Sequence, residues 1–266
     1  MLYLVCTPIG NLKDITVRAV ETLKLASLIL AEDTRHSAIL CAEYGVTAPM
    51  ISYQKFNEKS KCEEIIERLK AGEEIALITD AGTPCISDPG AVLLGRVIEE
   101  SLPYTLVGSA CAFVSAAVLS GFDLRSLAFG GFLPEKNSAR EEYLRGFINF
   151  EGAIAFYVSP HSFERESEVF YKAFGSRKAA LVREISKKFE ECVRFTLGEI
   201  PEFTQKGEYV LVIEGKKAEC ALNNLSVREH VLTYMRQGME KKDAIKKVAS
   251  DRGVAKNEIY REAIDL

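Results

Sequence analysis

The feature that most constrains the fold is an alternation of short apolar runs with helical periods along residues 1–120. The apolar runs predict buried strands at 2–7, 27–31, 50–53, 75–79 and 104–107. The segments between them predict helices at 16–25, 34–44, 89–100 and 110–119, and a capping box of Ser60 and Glu63 predicts a further helix that stops at Gly72. This alternation is typical of an α/β domain with a mostly parallel sheet, whose ligands bind beyond the carboxyl ends of the strands.

The pattern of strand-like and helix-like segments changes after Gly121 and predicts a second α/β domain with a mixed sheet. Strands are expected at 128–133, 153–158, 179–183, 192–197 and 209–214, with helices at 138–150 and 163–174. The last two strands are separated by a short connection, which predicts that they are antiparallel neighbours. A polar linker at 216–224 then leads to three helices at 226–239, 241–251 and 256–264. We therefore predict three parts: 1–120, 121–222 and a helical tail at 223–266.

Composition excludes several classes of protein. A hydrophobic content of 47% argues against disorder, and no apolar stretch approaches the ~20 residues of a membrane-spanning helix. The seven cysteines are odd in number and form no C-x-x-C pair, which suits reduced thiols better than disulfides or zinc. We expect a cytoplasmic protein that has no metal site and binds neither membrane nor DNA.

Three polar loops follow predicted strands, at 7–12, 31–36 and 79–90. The third is the most informative, because it combines the acids Asp80 and Asp88 with hydroxyl side chains, two prolines and two glycines. Prolines fix the backbone and glycines let it approach a ligand closely, so this loop suits a polar small molecule. The alternative is a tight strand-to-helix turn with Asp88 as a cap. Phosphate-binding and dinucleotide-binding glycine motifs are absent from the sequence, which disfavours those enzymes.

The motifs in these loops resemble those of a known family. Cys-Thr-Pro-Ile-Gly-Asn-Leu at 6–12, Glu-Asp-Thr-Arg-His at 32–36 and Asp-Ala-Gly-Thr-Pro to Ser-Asp-Pro-Gly at 80–90 are similar to the ribosomal small subunit methyltransferase I family. These are 16S rRNA (cytidine-2′-O)-methyltransferases of the tetrapyrrole methylase superfamily. Motifs at 131–134, 159–161, 183–184, 206–209 and 253–260 continue the resemblance in order. The sequence departs from the family's pattern at Phe56, at Val158 and Ser162, and across 107–111.

The resemblance implies a two-domain class III methyltransferase fold that binds S-adenosylmethionine between its domains as a homodimer. Its substrate would be a cytidine ribose in the 16S rRNA of the small ribosomal subunit. Residues carried over by motif as cofactor-binding are Pro8, Ile9, Gly10, Asp80, Gly82, Thr83, Ile86, Ser109 and Ala110. Alternatives are methylation of a small tetrapyrrole and a protein that binds the cofactor or RNA without catalysis.

Methyl transfer from a sulfonium to a hydroxyl needs alignment of the reacting atoms and removal of a proton. Acids and bases at strand ends that could take this proton are Glu32, Asp33, His36, Asp88, His161 and Glu184. We favour Asp33, Glu32 and His161 as catalytic residues. Asp33 could instead cap a helix or pair with Arg35, and His161 could be an ordinary loop residue.

Charge is distributed unevenly along the chain. Residues 1–120 carry 10 basic and 15 acidic side chains, whereas 121–266 carry 24 basic and 23 acidic ones, so the second half is favoured to face a polyanion. We expect Arg35, Asn57, Arg183 and Lys187 to contact the RNA. The basic tail could bind RNA as well, or it could be a solvated face or a lid packed on a partner subunit.

Overall fold

The computed structural model describes residues 1–108, 110–216 and 221–266, which form two compact units, Met1–Gly215 and Lys216–Leu266. The predicted residue Ser109 and residues 217–220 of the predicted linker lie outside the described part. Within the described part, no helix has the length and apolar character needed to cross a membrane.

The first sheet of the larger unit is parallel throughout, as the alternating pattern predicts. Its strands β1 to β5 span Leu2–Val5, Leu28–Ala31, Met50–Ser52, Ile75–Ile78 and Tyr104–Val107. They lie in the order β3-β2-β4-β1-β5. The helices α1 to α5 span Val17–Leu25, Thr34–Glu43, Glu58–Lys70, Ala91–Glu99 and Ala112–Ser120. The central strands β2 and β4 are buried along their whole length, which explains their continuous apolar sequences.

The predicted capping box at Ser60 and Glu63 is wrong. The helix α3 begins earlier, at Glu58, and Ser60 lies inside its first turn with its hydroxyl donating to the Asn57 carbonyl at 2.9 Å. The Asn57 side chain meanwhile accepts a hydrogen bond from the Gln54 backbone at 2.8 Å. The turn before α3 therefore sets the start of the helix.

The second sheet of the larger unit is mixed. Its strands β6 to β10 span Leu127–Phe132, Ala153–Val158, Lys178–Arg183, Glu191–Thr196 and Tyr209–Ile213, and the helices α6 and α7 span Asn137–Arg145 and Phe163–Phe174. The helix predicted at 138–150 ends at Arg145, because Gly146 follows and the chain continues in turns.

The prediction that the last two strands are neighbours is wrong. The sheet order is β6-β7-β10-β8-β9, so β10 inserts between β7 and β8, antiparallel to both, and β9 pairs with β8 at the edge. Burial explains the order. Every residue of β10 is buried, which requires a central position, whereas β9 is only partly buried.

The helix α5 packs on the second sheet, although it follows the last strand of the first one. Its Ala116 shares an apolar cluster with Val182 and Val210 of that sheet and with Ile9 from the loop after β1. This cluster brings the loops at the carboxyl ends of the first sheet against the second sheet. The proposed boundary near residue 120 falls at the end of α5, and the division into domains there stays a prediction.

The smaller unit has a short 3-10 helix at Ala221–Asn224 and, in its described residues, three α-helices, α8 to α10, at Val227–Arg236, Lys241–Arg252 and Lys256–Glu262. They enclose a core of their own around Val231, Ile245 and Val248. The helix α8 begins with a capping box, in which Ser226 and Glu229 exchange hydrogen bonds.

Candidate cofactor cavity

The loops after the neighbouring strands β1 and β4 are joined by hydrogen bonds. The backbones of Thr7 and Gly82 exchange two bonds of 2.9 and 3.1 Å, and the Thr7 hydroxyl donates to the Thr79 carbonyl at 3.1 Å. The Cys6 thiol also donates to the Thr83 hydroxyl at 3.5 Å. The first loop and the loop at 79–90 therefore form one surface.

The loop at 79–90 has an unusual backbone. Gly82 and Gly90 have φ values of +87° and +124°, and the non-glycine residues Cys85 and Ser87 have φ values of +70° and +67°. Side chains rarely adopt this region, and such strain concentrates where structure serves a ligand. The backbone conformation fixes where Asp88 and its neighbours point.

Glu58 holds the end of this loop. Its carboxylate is buried, and its Oε1 atom accepts hydrogen bonds from the backbone N–H groups of Gly90 at 2.9 Å and Val92 at 3.1 Å. These groups belong to the first turn of α4, where a helix has N–H groups without partners in the helix. A carboxylate from α3 thus caps α4, and not Asp88, which was the cap in the alternative interpretation of this loop.

A cavity of about 470 Å³ opens between these loops and the second sheet. This volume is within the range of ~300–1,000 Å³ typical of small-molecule sites. The first half of the chain contributes the side that contains Ile9, Glu32, Asp80, Gly82, Thr83, Ile86, Ser87, Asp88 and Cys111. The second half contributes Phe132 and Tyr157, the turn at 158–160, Ile185 and residues 207–210.

The cavity is strongly acidic. Four carboxylate side chains line it, those of Glu32, Asp80, Asp88 and Glu208, and none of its described lining residues is a lysine, arginine or histidine. Burial, together with the charges of Glu32 and Asp80, raises the pKa of Asp88 to about 7. Burial and Asp80 likewise raise the pKa of Glu32. Such a cavity favours a cationic ligand.

The cofactor residues predicted from sequence divide into two groups. Ile9, Asp80, Gly82, Thr83 and Ile86 line the cavity together. The remaining described ones lie beside its described lining: Pro8 is buried, Gly10 lies against Ile185 and Lys187, and Ala110 packs in the apolar cluster around α5.

The structure separates the three predicted catalytic residues. Glu32 lines the cavity. Asp33 caps α2 and forms an ion pair of 2.7 Å with Arg35, and the hydrogen bonds from Arg35 lower the pKa of Asp33. His161 is exposed in the turn after β7, next to Ser159 and Pro160 of the lining.

The residues predicted to contact RNA lie outside the described lining. Arg35 is almost fully exposed, and the side chain of Asn57 bonds within the turn before α3. Arg183 donates to the Lys206 carbonyl at 3.1 Å. Lys187 forms ion pairs of 2.9 Å with Glu184 and Glu208.

The aromatic wall of the cavity was not predicted from the sequence. The rings of Phe132 and Tyr157 lie 5.3 Å apart between centroids, and Tyr157 also contacts Phe129 at 4.9 Å. The motif at 131–134 contains Phe132 and could have indicated it. No feature of the sequence indicated that Tyr157 lines a cavity, because an aromatic residue in an apolar strand is most often part of a core.

Comparison with known proteins agrees with this geometry. A family model described as tetrapyrrole (corrin/porphyrin) methylases matches residues 1–201. Proteins named ribosomal RNA small subunit methyltransferase I are 38% identical in Bacillus subtilis (strain 168) and 39% identical in Pasteurella multocida (strain Pm70). These alignments cover 98% and 100% of this chain, and 92% and 97% of the relatives.

Solved structures have the same fold. The methyltransferase CobJ aligns with a TM-score of 0.62 and 16% identity over 81% of this chain and 94% of its own. A uroporphyrin-III-C-methyltransferase from Thermus thermophilus aligns with a TM-score of 0.60 and 16% identity over 80% and 93%. The two-sheet architecture of residues 1–215 is therefore the tetrapyrrole methylase fold.

The fold and the acidic cavity define a methyltransferase of the tetrapyrrole methylase class, which uses S-adenosylmethionine. Within that class, the chain belongs to the ribosomal RNA small subunit methyltransferase I family.

The cavity fits this cofactor. S-adenosylmethionine carries positive charge on its sulfonium and its amino group, and the carboxylates of the lining complement both. The side chains of Ile9, Ile86 and Val210 offer apolar surface to the rest of the molecule. No cluster of three or more metal-ligating side chains occurs within residues 1–108, 110–216 and 221–266.

Proposed function

We propose that this protein methylates the 2′-hydroxyl of a cytidine ribose in the 16S rRNA of the small ribosomal subunit. The acidic cavity at the carboxyl ends of β1, β2 and β4 carries the proposal, because it suits a cationic methyl donor. The relatives named as methyltransferases of small-subunit ribosomal RNA support RNA as the substrate.

S-adenosylmethionine supplies an electrophilic methyl group on a positively charged sulfur. The residues Asp80, Gly82, Thr83 and Ile86 would hold it, on a loop that is fixed before the ligand arrives. Orientation of two reactants in this way can supply up to ~7–11 kcal/mol of the barrier. A carboxylate of the lining would then take the proton of the ribose hydroxyl.

The acidity of the cavity restricts how RNA can approach. Phosphates are repelled by the four carboxylates, so the backbone of the RNA must stay outside while one ribose enters. We propose Arg35, Asn57, Arg183 and Lys187, which lie outside the lining, as contacts for that backbone. The exposed tail residues Lys242, Lys246, Lys256 and Arg261 would add further phosphate contacts. We also propose a homodimer.

Transfer of tritium from labelled S-adenosylmethionine tests the function. We expect label to enter 30S particles isolated from cells that lack this modification, with little entering protein-free RNA or corrin precursors. Label that appears only on a tetrapyrrole would establish the alternative substrate. Cofactor binding without transfer to any acceptor would establish a non-catalytic binder.

A further inference from the structure

The group that removes the ribose proton has to lie in the cavity. Of the six acids and bases at strand ends, Glu32 and Asp88 belong to its described lining. His36 and His161 are exposed outside it, and Asp33 and Glu184 are held in ion pairs with Arg35 and Lys187. The structure thus reduces six candidates to two carboxylates.

The other two carboxylates of the lining, those of Asp80 and Glu208, are engaged in other contacts. The Oδ1 atom of Asp80 accepts a hydrogen bond of 3.1 Å from the Asp33 backbone, which ties the loop after β4 to the loop after β2. Glu208 forms an ion pair of 2.9 Å with Lys187. A carboxylate that is ion-paired to an ammonium group is a weaker base.

Of the two remaining groups, Asp88 lies on the strained loop at 79–90. It follows Ser87 and precedes Pro89 and Gly90, in a stretch where the backbone is constrained by positive φ values and by the Glu58 cap. The same stretch approaches the second sheet, since a Cβ atom added to Gly131 would lie 3.8 Å from the Ser87 hydroxyl. Asp88 therefore stands where the two halves of the cavity meet.

The surroundings of Asp88 favour a proton on it. Glu32 faces it from the end of β2, Asp80 from the end of β4, Tyr157 from β7 and Cys85 from its own loop. These groups are acidic or neutral. A pKa of about 7 is close to the value at which a general base is most effective near neutral pH.

We propose that Asp88 accepts the proton of the attacking ribose hydroxyl, while Glu32 is a positioning residue whose negative charge maintains the basicity of Asp88. This inference rests on the proposed function. The ribose oxygen forms a bond to the methyl carbon as the carbon–sulfur bond breaks, and the electron pair of that bond stays on sulfur. The hydroxyl proton moves to the Asp88 carboxylate and from there to water.

The pH dependence of methyl transfer to 30S particles tests the two roles. For the wild type we expect kcat/KM for S-adenosylmethionine, which reports the protein before the cofactor binds, to fall on the acid side with a midpoint near pH 7. Asp88→Asn should reduce kcat by about 10²–10⁴-fold and abolish that acid limb. In Glu32→Gln the activity should still fall at acid pH, but with a midpoint at lower pH than in the wild type. Loss of a structural contact alone would not move this midpoint. Asp123→Asn, at an exposed pair with Arg125 outside the lining, is the control and should match the wild type.

Proton release on cofactor binding gives a readout independent of turnover. A cation in the cavity lowers the pKa of nearby carboxyls, so binding at pH 7 should release up to about half a proton from Asp88. Calorimetry in buffers of different ionisation enthalpy measures this release. We expect Asp88→Asn to bind S-adenosylmethionine, which shows that the cavity is intact, with a clearly smaller release.

The inference is overturned if Asp88→Asn keeps the activity and the pH profile of the wild type, or if its proton release is unchanged. Failure of the proposed function has a different signature. In that case the wild type itself transfers no methyl group to 30S particles, whatever the calorimetry reports for Asp88.

Discussion

At the scale of single residues, Gly82 is a sensitive position of the cavity. Its φ of +87° is strained for any side chain, and a Cβ atom there would lie 3.5 Å from the Ile9 side chain. Gly82→Val should therefore weaken S-adenosylmethionine binding at least tenfold, since strain of this kind costs about 1–3 kcal/mol and the new methyl groups also occupy the cavity.

Gly45→Val is the matched control for this prediction. Gly45 has a φ of +64° at the end of α2, with open space around the added Cβ atom. It should lower the stability of the protein by a similar amount and leave the affinity measured by calorimetry unchanged. Equal affinity of Gly82→Val and the wild type would mean that the loop at 79–90 does not hold the cofactor.

Asp88 also predicts how stability depends on pH. Its folded pKa of about 7 is above the value near 3.9 of an unfolded chain, so the folded state binds this proton more tightly. The resulting contribution to stability is complete below about pH 4 and is lost as pH rises through 7. Asp88→Asn, which has no charge to bury, should raise the free energy of unfolding at pH 8 by about 1–3 kcal/mol over the wild type.

Urea unfolding between pH 5 and 8 measures this difference. The advantage of Asp88→Asn should shrink steadily as the pH falls towards 4, because the wild-type carboxyl then becomes neutral as well. A difference that stays constant over the whole range would contradict the assigned pKa.

The sequence motifs predicted several residues that line the cavity, but they did not predict the roles of its acidic residues. Ile9, Asp80, Gly82, Thr83 and Ile86 line it because each follows a strand of a parallel sheet, where loops converge. The sequence could not show which of the acids takes the proton. The acids differ in ion pairing and in burial, and both depend on the folded structure. Asp33 and Glu32 are adjacent in the chain, yet one pairs with Arg35 in solvent and the other faces the cavity.

At the scale of secondary-structure elements, Glu58 joins α3 to α4 and thereby supports the loop at 79–90. Glu58→Ala would leave the N–H groups of Gly90 and Val92 without their acceptor, and each hydrogen bond to a charged group is worth about 1.5–3 kcal/mol. We expect a loss of at least about 2 kcal/mol in the free energy of unfolding, together with weaker cofactor binding.

Glu58→Gln and Glu67→Ala are the comparisons for this substitution. Gln keeps one acceptor oxygen and should give an intermediate loss. Glu67 lies on the same helix and its carboxylate is largely exposed beside Lys70, so its removal should cost less than about 1 kcal/mol. A cost for Glu58→Ala no greater than that for Glu67→Ala would contradict the capping role.

Most helices and strands were predictable from the sequence, whereas some pairings between strands were not. Periodicity indicated the strands of the first sheet, because parallel strands buried on both faces read as continuous apolar runs. The position of β10 was missed, since proximity in sequence suggested pairing with β9. Full burial of its five residues is a tertiary property, and it outweighs the short connection.

At the scale of the whole molecule, we expect the acidic cavity to bind the methyl donor and the basic tail to contribute to RNA binding. The tail residues Lys242 and Lys246 are exposed on α9. The double substitution Lys242→Glu and Lys246→Glu should weaken binding to 30S particles. It should also reduce the slope of log affinity against log salt by about one for each phosphate that the tail no longer neutralises. Affinity for S-adenosylmethionine should not change.

The double substitution Arg18→Glu and Lys24→Glu, on the exposed side of α1, is the charge-matched control and should bind 30S particles like the wild type. Filter binding over a salt series compares the three proteins. If the tail variant and the control have the same affinity and the same salt slope, the tail does not contact RNA.

The identity of the methylated atom is the decisive test of the proposed 2′-O-methylation. Nucleoside mass spectrometry and a modification map of 16S rRNA, from unmodified 30S particles incubated with this protein and S-adenosylmethionine, would locate the added methyl group. We expect a single 2′-O-methylcytidine that is absent when the protein is omitted. A methyl group on a base, or RNA that remains unmodified while the protein binds its cofactor, would contradict this expectation.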